Sequence, residues 1–387
     1  MADDGKTELG GHTKLRMVGQ TYPADSVLRD LAGKSSVDLQ GDLRLNFASR
    51  VGGWSFDASY QLVAFDGETF QLPGDKRRFF DLTAVLNQGS RSALLHRLDR
   101  LSIGYAGEKT VVRFGRQALS WGNGFFYAPM DLVNPFNPAS VDTEYKTGDD
   151  MLTVQYLQNG GSDIQGAYVF RRDPVSGDVD GDESTIAFKY HGITGGGEFD
   201  VLVARHYGAT VVGVGGNYAM GGAIWGGDLV FTRTDIDAYI QLTTNLSYSW
   251  NWAGRNMSGV LEYYFNGFGQ RAGAYDPQSL IANPDLVLRL TRGESFTLGR
   301  HFLGSSVLIE MTPLWSVSPT VLANISDPSA LFQLITNFSL SDNMNLLGSI
   351  NIPLGGNGTE FGGIESGVPG RYLSRGAGVF AQIAWYF

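Results

Sequence analysis

The sequence predicts an all-β chain, a transmembrane antiparallel β-barrel of about 18 strands with an inward-folding constriction loop. Residues 1–387 form a single barrel. Three observations predict it. Apolar and polar residues alternate over long segments, which is the period of a strand. Short turn-like connections alternate with long loops along the chain. No apolar run reaches the roughly 18 residues that a membrane helix needs, and mean hydropathy is only −0.10. A helical membrane protein is thereby excluded, whereas a barrel is not, because every second strand residue faces water.

The alternation starts at residues 7–20, where Leu9, Gly11, Thr13, Leu15 and Met17 interleave with Glu8, His12, Lys14 and Arg16. It sharpens next, with Val37, Leu39, Leu43, Leu45 and Phe47 set against Asp38, Gln40, Asp42, Arg44 and Asn46. Beyond the turn 50–53, Trp54, Phe56, Ala58, Tyr60 and Leu62 alternate with Ser55, Asp57, Ser59 and Gln61. Further strands are expected at 99–105, 110–117, 151–158, 164–171, 185–191, 197–206, 210–220 and 223–232. The remainder fall at 239–252, 257–265, 302–311, 315–325, 331–340, 344–352 and 376–387. In the last strand Val379, Ala381, Ile383, Trp385 and Phe387 share one face, and Gln382, Ala384 and Tyr386 the other.

The connections give an independent check. Turns such as 107–109, 194–196, 221–222 and 253–256 are short. The alternate set contains long loops at 65–97, 119–149 and 266–295, with others at 22–36, 173–183 and 353–375. A soluble β-fold has no reason to keep that asymmetry.

Composition fits the same reading. The 52 glycines and 12% aromatics suit tightly turned strands with aromatic girdles. With no cysteine there is no disulfide, thiol nucleophile or Cys-based metal site. A net charge of −10 argues against nucleic acid as a partner. Met1-Ala2-Asp3 reads as a mature start behind an added Met, since a barrel in the bacterial outer membrane must be exported. The terminal strand ending in Trp385, Tyr386 and Phe387 resembles the closing strand of bacterial outer-membrane barrels. That resemblance implies the barrel-assembly machinery as a partner.

The least generic stretch is 113–152. Pro129, Pro135 and Pro138 break regular structure there, and Phe125, Phe126, Tyr127 and Phe136 are too apolar for a loop in free solvent. Folding into the barrel would hide them and narrow the pore. The GRQ and SWGNG of 115–124, with LHRLDRL (95–101) and EYKTGDDML (144–152), resemble motifs of Gram-negative outer-membrane porin-like proteins. The layout is similar to the alginate-export and phosphate-selective porins, and the motifs to an uncharacterised porin-like group. The resemblance implies an 18-stranded barrel and brings no substrate; the arginine ladder of the phosphate-selective porins has no residue-by-residue match.

A charge facing lipid costs on the order of 2–4 kcal/mol at mid-bilayer, which sends strand charges to the lumen. The candidate pore-lining and constriction residues are Arg16, Arg44, Arg100, Arg113, Arg116, Asp38, Asp42, Asp57, Gln117, Trp121, Phe125, Tyr127 and Asp131. The bland alternative is that these charges pair with each other and pin the loop. Arg116 is out of phase with Arg113, so one of the two belongs at the rim or ties down a loop. Asp178, Asp180 and Asp182 have partial Ca²⁺-loop spacing but lack the following Gly and distant Glu, so a solvated acidic tip is the expectation. Lys76-Arg77-Arg78 and the following residues to 88 suit a short helix or plug, and 277–292 a helix capping the mouth. The basic run could meet an anionic solute or lipopolysaccharide, although a solvated charge run is the usual explanation.

Catalytic signals are poor. The five histidines lack HExxH spacing, no Gly-x-Ser-x-Gly elbow occurs, and His301 near Ser305-Ser306 has no third member. The Gly-rich run 213–222 has no helix to receive a phosphate. No enzyme activity and no cofactor are expected. The expected function is passive diffusion of small hydrophilic, charged solutes. The alternatives are a plugged barrel serving as surface receptor or envelope scaffold, and a transporter of hydrophobic or polymeric substrates.

Overall fold

The structure, a computed structural model, describes residues 5–69 and 76–387. The start at Met1-Ala2-Asp3 and the middle of the 65–97 loop lie outside the described residues. The first strands are β1 (Lys6–Thr21), β2 (Ser35–Val51), β3 (Trp54–Asp66), β4 (Thr83–Gln88), β5 (Ser92–Ala106), β6 (Thr110–Gln117) and β7 (Asp149–Leu157). There follow β8 (Asp163–Val169), β9 (Thr185–Thr194), β10 (Gly197–His206), β11 (Ala209–Met220), β12 (Ala223–Arg233), β13 (Ala238–Trp252) and β14 (Arg255–Asn266). The last are β15 (His301–Thr312), β16 (Trp315–Asn324), β17 (Ser329–Ser341), β18 (Met344–Leu354), β19 (Ile364–Glu365), β20 (Tyr372–Leu373) and β21 (Gly378–Tyr386).

Eighteen of these strands form a closed antiparallel barrel. Strand β4 is an addition that pairs with β5 alone, and β19–β20 is a separate loop hairpin. Strand β1 pairs with β2 on one side and β21 on the other, which closes the ring. At the seam the Gly11 N–H donates to the Phe387 carbonyl (2.8 Å), and the Phe387 N–H donates back to Gly11 (3.0 Å). A side chain at Gly11 would collide with the Arg44 carbonyl and the Phe387 ring, so the close approach requires glycine.

One rim has only tight turns. Gly221 and Gly222 both take positive φ (55° and 94°), the two-residue hairpin geometry that matches strand twist. The other rim carries the long loops. The outer wall is apolar, with Leu15, Phe47, Ile103, Phe188, Val214, Leu229 and Ile383 exposed, while His12, Lys14, Arg44, Asp228 and Glu262 are buried inside. Apolar cores occur where a loop meets the wall. Trp121, Met130 and Leu132 pack on Ala167, Ala187, Leu202, Ala204, Val211 and Val230.

Strands β6, β7 and β8 have only 8, 9 and 7 residues. Above them the wall is completed by β4 on the flank of β5 and by a bridge from Arg78 to Arg171. The expected helix or plug at 79–88 is therefore partly a strand, because the upper edge of β5 needs a hydrogen-bonding neighbour. Arg116 lies where this patch meets the barrel, 0% exposed and paired with Asp150 through two 2.9 Å contacts. Its guanidinium also donates to the Phe80 carbonyl (2.6 Å), and Asp150 accepts the Phe80 N–H (2.8 Å).

Helices sit at the long-loop rim: α1 (Leu28–Ala32), α2 (Pro277–Ile281) and α3 (Pro284–Arg292). The expected helix over 277–292 is split, since Pro284 lacks the N–H needed to continue one helix and instead starts another. Asp276 caps α2 through Gln278 and Ser279, and Asn283 caps α3 through Leu286.

Asp150→Asn should remove the carboxylate that pairs with the buried Arg116 guanidinium and cost ~3–5 kcal/mol. The check is the denaturant midpoint of the folded barrel; an unchanged midpoint would show that the pair does not hold the patch to the wall.

Candidate pore constriction

The chain between β6 and β7, residues 118–148, turns into the barrel and travels around its inner wall. Its first leg is held by carboxylates that accept from neutral donors of the loop. Asp228 accepts from the Asn123 backbone and side chain, both at 2.8 Å. Glu262 accepts the backbone N–H groups of Phe125 (2.5 Å), Phe126 (3.0 Å) and Tyr127 (2.7 Å). Asn245 donates to the Asn123 carbonyl (2.8 Å). The glycines of SWGNG make this possible. Gly122 has φ 96°, and a Cβ there would lie 2.9 Å from the Asp228 carboxylate. Tyr127 then stacks on Tyr264, with ring centroids 4.6 Å apart.

The loop next crosses to the opposite wall, where Gln333 donates to the Ala139 carbonyl (3.0 Å). Its returning leg is held by ion pairs. Asp142 meets Lys14 (2.9 Å) and Arg16 (2.8 Å), Glu144 meets Lys14 (2.7 Å), and the Tyr386 hydroxyl donates to Glu144 (2.8 Å). Burial opposes ionisation of Asp142 and Glu144, but the Lys14 ammonium holds both below their ordinary range. Tyr145 lies under the Arg44 guanidinium at 4.4 Å. Arg44 and Arg100 converge on Asp99, both at 2.8 Å. A shift of register beside Ser59 lets Asp99 and Arg100, adjacent in sequence, share this cluster. A polar cavity of about 180 Å³ remains between the returning leg and the β1–β2–β3–β5 wall, lined by Arg16, Asp42, Arg97 and Asp142 among others.

The two legs are tied together by Lys146, which contacts both Asp131 oxygens at 2.6 Å and the Leu119 carbonyl at 2.6 Å. Burial lifts the Asp131 carboxyl to about 6 despite that partner, and burial lowers the Lys146 ammonium. Beyond the constriction, Glu360 accepts from the Leu298 N–H (2.7 Å), the Gly299 N–H (2.9 Å) and Asn324 (2.8 Å), joining two mouth loops. Burial raises Glu360 to about 7 against the pull of these donors.

No family model and no curated protein matches this chain. Solved structures do. It is similar to Acinetobacter baumannii OccAB4, with 8% identity and a TM-score of 0.57, over 99% of this chain and 98% of that one. OccAB2 of the same organism gives 9% identity and 0.56 over 98% of both chains. A triple mutant of Rhodopseudomonas blastica porin is more distant at 0.47, with 10% identity over 99% of this chain and 100% of that one. The fold is that of a porin-like outer-membrane β-barrel.

Within this porin-like barrel the sequence-derived candidates take different places. Arg16, Arg44 and Asp42 line the polar cavity, and Arg100 pairs with Asp99 at its edge. Asp42 accepts from Gln61 (3.0 Å) and leaves its other oxygen without a partner among the described residues. Arg113 lies lower on β6, opposite Gly104 and Thr153. Two assignments are corrected by distance along the barrel, and Arg116, out of phase with Arg113, ties down a loop. Asp38 is spent at the long-loop rim on the N–H groups of Glu68 (2.8 Å) and Thr69 (3.1 Å). Asp57 pairs with Arg50 (2.7 Å) at the short-turn rim. Arg116 shares the side of Phe114 rather than that of Arg113 and is sealed in the wall.

Burial corrects four more. Trp121, Tyr127 and Asp131 hold the loop rather than line open space, Trp121 donating to Gln165 (2.7 Å), while the buried Gln117 donates to the Met151 carbonyl (3.1 Å) and ties β6 to β7. Phe125 remains 57% exposed. Asp178, Asp180 and Asp182 do not converge, and no cluster able to hold a metal occurs among the described residues. Lys14, Arg97, Asp99 and Asp142 were missed. Lys14 shares the parity of Arg16 and was legible; Asp99 was hidden by the bulge, and Asp142 by its place in a loop.

Glu262→Gln should free the first leg, because an amide places its own N–H groups against backbone donors and loses bonds worth ~1.5–3 kcal/mol to a charged acceptor. Hydrogen exchange at Phe125–Tyr127 should accelerate; unchanged protection would rule out this clamp. For Glu360 the folded pKa exceeds the unfolded one, so its contribution is full below about 4.3 and is lost as pH rises through about 7. Thermal stability measured across that window should fall more steeply in the native protein than in Glu360→Gln, and parallel curves would dismiss the carboxyl as the cause.

Proposed function

We propose that the protein is a non-enzymatic channel of the bacterial outer membrane for passive diffusion of small hydrophilic solutes, with a preference for anions. The observation that carries this reading is the cluster at the returning leg, where among the described residues Lys14, Arg16, Arg44, Arg97 and Arg100 stand beside Asp42, Asp99, Asp142 and Glu144. Cations lining a narrow, low-dielectric passage raise the local concentration of anions and repel cations. The loop would set the aperture by occupying lumen that 18 strands otherwise enclose.

The interlocked mouth loops favour a second reading, a plugged barrel that serves as a surface receptor or scaffold. A lateral path for hydrophobic substrates has less support, because neighbouring strands are paired around the whole ring. At the His301–Ser305–Ser306 neighbourhood, His301 bonds the Tyr263 hydroxyl (2.8 Å) and Ser306 bonds Thr320 (2.7 Å), so no nucleophile–base pair forms there.

Single-channel recording in a planar bilayer under a salt gradient tests the proposal. Steady ohmic steps with an anion-selective reversal potential are expected. Lys14→Gln with Arg16→Gln should move that potential towards the cation side, and replacing 119–149 by a short Gly-Ser link should raise conductance. Silence from folded protein would favour the plugged reading, and unchanged conductance without the loop would refute the constriction.

A further inference from the structure

The Gly-rich run on β11 has a counterpart on β12, and together they thin the wall. Gly216 lies directly opposite Gly227 in the ladder. A Cβ on Gly216 would strike the Glu198 carbonyl, and one on Gly227 would lie 2.7 Å from the Thr243 carbonyl, so neither position accepts a side chain. On the outer face this leaves a floor of bare backbone. Phe199, Val214, Tyr218, Trp225 and Leu229 rise around it, each more than a third exposed. They enclose a predominantly apolar groove of about 670 Å³. The Trp225 indole is held by a hydrogen bond to Thr244 (2.9 Å), which fixes one side of the groove.

We infer that this groove binds one acyl chain of a phospholipid from the leaflet at the short-turn rim, the periplasmic leaflet. Three features select that occupant. The groove is continuous with the apolar belt of the outer wall, so hydrocarbon reaches it without crossing water. Gly216 is five positions from the Gly221–Gly222 turn, which places it about 13 Å above that turn for a strand tilted by ~40°. The girdle residue Tyr218 is only two positions, about 5 Å, below it, so the floor lies in the periplasmic half of a band ~25 Å tall. Tyr218 and Trp225 lie between the floor and the turn, with Tyr248, Trp250 and Trp252 on the neighbouring strand, at the depth where aromatic side chains meet headgroups. A headgroup at that girdle would point its chain up into the groove. Bulk lipid wets the whole belt, but a concave rigid surface contacts a chain on several sides, and dispersion gains grow with the number of close contacts. The inference rests on the membrane placement of the barrel and is independent of ion selectivity.

The test is retention of phospholipid through detergent exchange. Protein refolded into vesicles of phosphatidylethanolamine and phosphatidylglycerol is extracted, purified and weighed by native mass spectrometry. Native protein should retain one phospholipid more than Val214→Trp and Leu229→Trp, which fill the groove. Ile103→Trp, exposed on β5 away from this groove, should retain as much as the native protein. Conductance and heat-modifiable mobility of each variant separate lipid loss from misfolding and from failure of the channel reading. Equal retention in native and groove-filled barrels overturns the inference. So does a native dimer that Leu229→Trp converts to monomer, which would make a second copy the occupant.

Discussion

A strand in hydrocarbon cannot leave its N–H and C=O groups unpaired, and the rest of this structure follows from that constraint. The ring must close, so β1 receives β21 and the last residue is bonded to Gly11. Closure then divides the side chains by parity. One set meets lipid and the other a lumen wide enough for water. The short strands β6–β8 would leave the upper edge of β5 unpaired, and the chain from the second long loop supplies the missing neighbour.

The inner wall poses the opposite problem, since it holds charges that must be compensated. Two solutions are used on opposite sides. Towards β12–β14, Asp228 and Glu262 are satisfied mainly by neutral donors of the loop, so folding the loop inward and neutralising the wall are one event. Around β1, β2 and β5, carboxylates and guanidiniums interleave, and the loop contributes Asp142 and Glu144 to that network. The first leg is set by buried hydrogen bonds and stacked rings. The second leg is set by charges beside a polar cavity. The two legs of one loop are thus held to the wall by different kinds of contact.

Much of this was legible. Period-two alternation located the wall strands because burial against lipid acts on every second residue independently of distant contacts. The inward loop was also legible, since Phe126 and Tyr127 had no other apolar shelter within reach, although Phe125 stays exposed. The functional residues were read less well. Asp38, Asp57 and Arg113 satisfy the same parity as Arg16 and Arg44, but parity carries no information about height along the barrel. The bulge at Asp99 reversed the parity of half a strand, which no local pattern announced.

The sequence by itself determined the class of fold, the sidedness of each regular strand and the identity of the inserted loop. These depend on local alternation, glycine at tight turns and proline in the loop. Only the tertiary structure decided which charges meet. Asp228 with Asn123, Asp142 with Lys14, and Arg116 with Asp150 are separated by 105, 128 and 34 positions. Their pairing is set by strand register and loop path, and a charge placed on the correct face still needs both coordinates before its partner is known.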